Sequence, residues 1–168
     1  MSTASSLSLT TRRSLLRPIV LGGLIIGIAD AIIYHWFVSS LLAGYPLITV
    51  YQYLASGALG EAAFAGGIAT AVLGLFFHFI VSFIVAAVFI LSADRIPLLR
   101  RYPIASGLLY GFGVFLVMNL LVLPLSAAPV LPPPTAPQII IMILDHILVI
   151  GLPLGILVRR DARSASDR

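Results

Sequence analysis

Residues 138–158 read QIIIMILDHILVIGLPLGILV, an apolar stretch that carries two ionisable side chains, Asp145 and His146. A helix rises about 1.5 Å per residue, so about 20 apolar residues cross the hydrocarbon core of a bilayer, which is about 30 Å thick. This stretch is therefore long enough to span a membrane. Because inserting an ionisable group into a span costs at least about 2.5 kcal/mol, we expect Asp145 and His146 to face a partner, a cavity or a ligand.

The composition of the chain is that of an integral membrane protein. Its 168 residues are 60% hydrophobic and 10% charged, with a mean hydropathy of +1.12, far outside the range of soluble domains. There is no cysteine, which excludes disulfide bonds and thiolate metal sites. The net charge of +4 comes from ten arginines without a lysine. Basic chains often bind nucleic acid, but membrane orientation explains these arginines, and we expect no nucleic-acid partner.

Three further apolar stretches are long enough to span a membrane, namely residues 18–42, 67–92 and 103–125. Three arginines precede the first span, three lie between the second and third, and four follow the fourth, so all ten fall on one side. The positive-inside rule places this side and both termini in the cytoplasm. Since only helices and closed barrels satisfy their backbones in lipid, the sequence predicts an all-α, up-and-down bundle of four transmembrane helices, with residues 18–158 as one domain.

Polar tails precede the first span and follow the fourth, and the connection between the first two spans is mostly uncharged. Residues 1–17, rich in Ser and Thr, and residues 159–168 are predicted to be cytoplasmic tails. Arg12 and Arg13 also fit a twin-arginine export signal, but the apolar run that follows is too long for one and favours an uncleaved first helix. Residues 47–59 carry two of three clustered tyrosines, which predicts a short helix at the membrane interface.

Three histidines, two aspartates and one asparagine lie within the predicted spans, and the histidines are all that the chain has. Counted from the loop ends at about 1.5 Å per residue, they collect mainly in the half of the bilayer away from the arginines. The sequence thus predicts a shared intramembrane site that opens to the side opposite the arginines. Its members are His78, Asn119, Asp145, His146, Asp30 and His35. His35, between Tyr34 and Trp36, also fits an interfacial aromatic belt.

Small residues at helical spacing predict close packing of the helices. Glycines four residues apart let two backbones approach, either within the bundle or between copies in a homo-oligomer. The packing glycines are Gly23, Gly27, Gly74, Gly107, Gly111, Gly151 and Gly155. Pro124 and Pro153 each free a carbonyl one turn earlier, at Leu120 and Val149, and therefore predict kinks.

Three interpretations of the polar site stay open. Asp and His inside membranes relay protons and bind ions, so the first is a non-enzymatic protein that handles a proton, an ion or a small solute. The same side chains also hydrogen-bond between helices, as in a structural or accessory subunit that joins a partner membrane protein. The third is an electron-transfer protein, because His78 and His146 fit the axial ligands of haem and histidine with Met142 fits copper(I).

Catalytic signatures are missing from the sequence. It contains no glycine-rich phosphate loop, no H-E-x-x-H and no G-x-S-x-G. Glu61 in the first connection is an isolated acid, and a lone glutamate does not indicate a general base. We therefore predict no enzymatic activity, no catalytic residue and no bound cofactor.

Four short motifs resemble a family of uncharacterised bacterial inner-membrane proteins with four spans, YagU-like in type. The motifs are L-G-L-F-F-H-F at residues 73–79, G-L-L-Y-G at 107–111, M-N-L-L-V-L-P-L-S at 118–126 and D-H-I-L-V-I-G-L-P at 145–153. The positions that match the shared framework of such a family are His78, Asn119, Pro124, His146 and Pro153. The resemblance implies a multi-pass protein in the lipid of the bacterial inner membrane, and it brings no established activity.

Overall fold

Four long apolar helices form the protein, which confirms the predicted all-α fold with four spans. The computed structural model describes residues 15–166, with side chains described to residue 161, and this range contains helices and no strand. The four spans are Leu16–Leu42, Gly67–Arg95, Pro103–Leu125 and Ala136–Asp161. Their ends lie within three residues of the predicted ones.

The predicted C-terminal tail is largely helical in the structure, and most of the predicted N-terminal tail lies outside the described residues. The helix of the fourth span runs on as Leu152–Ser166, so most of the polar segment 159–168 continues that helix. The first helix begins at Leu16, inside the predicted N-terminal tail. Arg12 and Arg13, with the export signal that they suggest, lie outside the described residues.

A short helix, Leu47–Leu59, connects the first two spans and is called the connecting helix below. It lies where the sequence predicted an interfacial helix, but one of its faces is packed against the second span. A Cβ atom at Gly74 of that span would collide with the Tyr51 carbonyl, so the two backbones touch. A 3-10 turn, Gly60–Ala65, completes the connection. The second and third spans are joined by the short helix Pro97–Arg101.

Three of the spans contain π-helical turns, in which hydrogen bonds join residues five apart. These segments are Ala31–Leu42, Met118–Val122 and His146–Gly151. The last two end two residues before Pro124 and Pro153. Proline has no N–H to give to the carbonyl four residues earlier, which disrupts the α-helical pattern there. The predicted kink positions thus coincide with wide turns, and the kinks themselves stay a prediction.

An apolar core joins the first, second and fourth spans. Its buried members are Ile26, Ala86, Phe89, Ile90, Ala93, Leu154 and Val158. The third span joins this core through Tyr110, whose ring centroid lies 4.9 Å from that of Phe89. The Tyr110 hydroxyl donates a hydrogen bond of 2.8 Å to the carbonyl of Val85. This contact fixes the third span against the second.

The predicted packing glycines lie where neighbouring elements approach most closely. A Cβ atom at Gly107 would meet the backbone of Gly151, and one at Gly111 would meet the His146 carbonyl, so the third and fourth spans touch through their backbones. Each of the seven glycines named from the sequence faces another part of the same chain. These glycines therefore allow close packing within one chain.

Arginines of two helices meet at one end of the bundle. Arg100, Arg101 and Arg159 line a common cavity of about 420 Å³. Arg100 also pairs with Asp94 and donates from Nε to the Ala93 carbonyl over 2.8 Å. The end of the second span therefore lies beside the end of the fourth, as an up-and-down bundle requires.

Candidate functional site

Three titratable side chains from the first two spans meet inside the bundle. The Oδ2 atom of Asp30 lies 3.4 Å from Nε2 of His35 and 3.6 Å from Nδ1 of His78. The three facing atoms all lie within 4.8 Å of one another, and the side chains are only 8–13% exposed. We refer to Asp30, His35 and His78 as the trio.

The protonation pattern of His78 follows from its second ring nitrogen. Its Nε2 atom lies 2.9 Å from the backbone carbonyl oxygen of Gly27. A carbonyl only accepts hydrogen bonds, so Nε2 carries a hydrogen and donates it. In a neutral imidazole the lone pair is then on Nδ1, which faces the Oδ2 atom of Asp30. Two acceptors thus face each other unless a proton or another cation lies between them.

His35 reaches Asp30 because this part of the first span is π-helical. Residues five apart on an α-helix are separated by about 140° around the axis, whereas a π-helix brings them onto one face. The His35 ring lies edge-on to Tyr51 of the connecting helix, with the ring centroids 5.4 Å apart. His35 is 6% exposed and Trp36 is 51% exposed. The interpretation of His35 as part of an aromatic belt is therefore wrong.

Asp145 brings a second carboxyl group to the trio from the fourth span. Its side chain is 4% exposed and lies close enough to Asp30 for the two carboxyl groups to interact electrostatically. Within the described part of the chain, no N–H or hydroxyl group donates a hydrogen bond to either Asp145 oxygen. Because a carboxylate only accepts, two carboxylates cannot hydrogen-bond to each other directly. Positive charge near Asp30 and Asp145 would reduce their repulsion.

His146 lies beside Asp145 rather than in the trio. Its Nδ1 atom is 2.9 Å from the Met142 carbonyl oxygen and 3.6 Å from Oδ2 of Asp145. Its ring packs edge-on against Phe115, with the centroids 5.6 Å apart. The contact between His146 and Met142 therefore uses a backbone oxygen. This arrangement keeps the Nδ1 hydrogen of His146 within its own helix.

The trio, Asp145 and His146 are called the cluster below. Asn119 is the predicted site residue that the structure does not bring into it. Its side-chain Nδ2 donates a hydrogen bond of 2.9 Å to the Phe115 carbonyl, one turn earlier in the same helix. No hydrogen bond within residues 15–161 joins Asn119 to the trio or to Asp145. The amide satisfies itself locally, a pattern that is common for asparagine inside helices.

The electrostatic surroundings of the cluster are acidic. No arginine pairs with Asp30 or Asp145 in the part of the chain that the structure describes. Tyr34 lies within electrostatic range of both carboxyl groups. At the edge of the site, burial and, to a lesser extent, the Asp30 carboxyl raise the pKa of Tyr51 above its ordinary value. Its phenol therefore stays neutral next to the cluster.

Two contributors to the site were not predicted from the sequence. One is the Gly27 carbonyl, because a backbone acceptor has no sequence signal. The other is the Tyr51 ring, which lies on the segment that the sequence assigned to the membrane interface. The only signal for Tyr51 was its position in a tyrosine-containing helix that precedes the second span.

Comparison of this chain with protein-family profiles, curated proteins and solved structures finds no match in any of the three. The resemblance of the four motifs to YagU-like proteins stays a prediction. The function of the protein has to be inferred from the chemistry of the cluster itself.

Proposed function

We propose that this protein binds a small cation inside the membrane and exchanges it with the aqueous phase opposite the arginines. The main support is the arrangement of acceptors, since Nδ1 of His78 and a carboxyl oxygen of Asp145 both approach the carboxyl of Asp30. Acceptors that face one another repel unless positive charge lies between them. No arginine supplies that charge within the described residues.

The depth of the cluster supports a functional role. His78 lies in the helix that begins at Gly67, and a rise of about 1.5 Å per residue places it roughly 16 Å along that helix. This is close to the centre of a hydrocarbon core about 30 Å thick. Ionisable groups at such a depth are costly and are typical of ion and proton pathways.

The connecting helix covers the cluster on the side of His35. Tyr51 packs on His35, and Gln52 donates from Nε2 to the Gly67 carbonyl over 3.0 Å. Glycines with positive φ stand before this helix and after it, namely Gly44 at 77°, Gly60 at 61° and Gly67 at 59°. Only glycine adopts such angles without strain. We therefore place the exchange route beneath the connecting helix, which moves between these junctions.

We place the protein in the inner membrane of a bacterium with both termini in the cytoplasm. The meeting of Arg100, Arg101 and Arg159 at one end of the bundle supports this orientation, because arginine-rich ends stay in the cytoplasm. The connecting helix then faces the periplasm. The cation is thus taken from, or released to, that side.

A second candidate function is that of an accessory subunit whose polar groups only join helices. The hydrogen bond from His78 to the Gly27 carbonyl favours this alternative, because it links the second span to the first. Interhelical hydrogen bonds of this kind contribute about 0.6 kcal/mol on average in a membrane. Such a role requires no cation and no exchange.

Flux through proteoliposomes separates the two candidates. Vesicles that contain a pH-sensitive or a metal-sensitive dye are loaded with the wild type, Asp30→Asn or Asn119→Leu. We expect the wild type and Asn119→Leu to pass protons or divalent cations. The flux through Asp30→Asn should be at least tenfold lower. Flux equal to that of empty vesicles for every cation would contradict the proposal and favour the accessory subunit.

A further inference from the structure

We propose, on the basis of the function proposed above, that the cation is a divalent transition metal of the Zn²⁺ type. Its ligands are Nε2 of His35, Nδ1 of His78 and Oδ2 of Asp30, and the Asp145 carboxyl adds a second negative charge beside them. This set differs from the pairs suggested by the sequence, since His146 and Met142 are not part of it.

The distances within the trio fit the ligands of one metal better than they fit hydrogen bonds. Zinc binds imidazole nitrogen and carboxylate oxygen at about 2.0–2.2 Å, so the ligand atoms of a tetrahedral site are about 3.4 Å apart. The two distances to Oδ2 of Asp30 are 3.4 Å from His35 and 3.6 Å from His78. N–H···O hydrogen bonds are shorter, about 2.7–3.2 Å. The two distances to Asp30 thus match the spacing of ligands around one metal ion.

Asp145 supplies a second negative charge beside the three ligands. Its carboxyl is almost fully buried, approaches Asp30 and receives no hydrogen bond within the described residues. Buried polar atoms without a partner are rare and call for an explanation such as an absent ion. Two imidazoles and a carboxylate suit zinc and similar divalent metals, whereas copper(I) prefers sulfur.

The charge at the site selects a divalent ion. The Asp30 ligand and the neighbouring Asp145 carboxylate carry a charge of −2, and the two neutral imidazoles add none, so one divalent metal neutralises the site. A neutral complex avoids most of the free-energy cost of placing net charge in hydrocarbon. A monovalent ion would leave one negative charge unbalanced at this depth.

The His78 ring is already oriented for metal binding when no metal is bound. The Gly27 carbonyl accepts the hydrogen of Nε2 at 2.9 Å, so the lone pair of Nδ1 is fixed toward Asp30. Metal-binding histidines usually donate their other nitrogen to a carbonyl or a carboxylate in this way. The Tyr51 ring packs edge-on against the other histidine ligand, His35.

Metal binding is tested by titrating Co²⁺, a visible-absorbing substitute for Zn²⁺, into protein purified in detergent without a histidine tag. The protein is first treated with EDTA, and Zn²⁺ is then added to displace the cobalt. His78→Gln keeps an N–H donor near the Gly27 carbonyl but removes the Nδ1 ligand, and Asp145→Asn removes a carboxylate. Asn119→Leu is the matched intramembrane control. Thermal unfolding, followed by the fluorescence of Trp36, the single tryptophan, shows that each variant is folded.

We expect one Co²⁺ per chain with the intense absorption of a tetrahedral site, displaced by Zn²⁺, in the wild type and in Asn119→Leu. Affinity should fall at least tenfold in His78→Gln, which lacks a ligand, and in Asp145→Asn, which leaves the metal complex with a net charge. Folded wild type that binds no Co²⁺, or binds it equally in all variants, would overturn the inference. If proteoliposomes still pass protons in that case, the proposed function stands without the metal. If the metal binds but no cation crosses the vesicle, the inference stands and the proposed exchange is wrong.

Discussion

The carboxyl group of Asp145 approaches that of Asp30, so acidic side chains of the fourth and first spans meet inside the bundle. No N–H or hydroxyl group of the described residues donates to the Asp145 oxygens, and the nearest imidazole nitrogen, Nδ1 of His146, is 3.6 Å from Oδ2. Without a cation, this arrangement lowers the stability of the folded protein. Residues of functional sites are often unfavourable for stability in this way.

We expect Asp145→Asn to stabilise the metal-free protein. The asparagine amide can donate a hydrogen bond to Asp30, and one net hydrogen bond contributes about 1 kcal/mol. For a chain of this size, that corresponds to a rise in Tm of about 2–4 °C. Thermal unfolding in detergent with EDTA measures the change.

Asp94→Asn is the control for that measurement, because it removes the exposed ion pair with Arg100. Exposed pairs contribute only about 0–1 kcal/mol, so its Tm should stay equal or fall slightly. A lower Tm for Asp145→Asn than for the wild type in EDTA would show that the aspartate is well satisfied without a cation.

We expect Gly74→Val to detach the connecting helix from the second span. A Cβ atom at Gly74 would collide with the backbone carbonyl of Tyr51, which cannot move as a side-chain tip can. Overpacking of this kind costs about 1–3 kcal/mol. Limited proteolysis between Gly44 and Gly67 should become faster, and Tm should fall.

Gly113→Ala is the matched control for Gly74→Val, since its Cβ atom would meet nothing within 4 Å. Replacing a glycine inside a helix by alanine favours the helix by roughly 0.5–1 kcal/mol. We expect this variant to keep or raise Tm and to resist the protease like the wild type. Equal behaviour of the two variants would contradict the close contact at Gly74.

The four spans could be predicted because apolar length is a local property of the chain. In lipid each span must satisfy its own backbone, so roughly 20 apolar residues are sufficient to indicate a helix. The π-helical turns were not predictable in the same way. At Pro124 and Pro153 the sequence indicated a disturbed helix, but at Ala31–Leu42 no proline marks the change.

The members of the site were largely named from the sequence, but their pairing was not. Depth along a span follows from residue counting, whereas rotation about the helix axis depends on packing against other helices. The sequence therefore could not join Asp30 to His35, which an α-helix would place on different faces. It also grouped Asn119 with the site by depth alone, although its amide bonds to the Phe115 carbonyl.

We expect Asn119→Leu to have little effect on stability. Its amide makes one hydrogen bond within its own helix, and membrane hydrogen bonds contribute about 0.6 kcal/mol on average. The free energy of unfolding should therefore change by less than about 1 kcal/mol. Unfolding in a denaturing detergent provides the measurement. A loss of several kcal/mol would show that Asn119 joins helices in the membrane.

Single cysteines can test the orientation of the bundle, because the chain has none of its own. Ala62 lies in the 3-10 turn beside the connecting helix, and Leu98 lies in the short helix that carries Arg100. Both residues are exposed. A membrane-impermeant maleimide should label Ala62→Cys in intact bacterial cells and Leu98→Cys only after the membrane is opened.

The orientation decides where the proposed cation would enter. If arginines hold their end of the bundle in the cytoplasm, the connecting helix and the site beneath it face outward. Labelling of Leu98→Cys in intact cells would place the arginines outside. The trio would then open toward the cytoplasm, and its cation would be exchanged with the cell interior. The acceptor geometry at Asp30 would be the same in both cases, so the label tests the direction of exchange separately from binding.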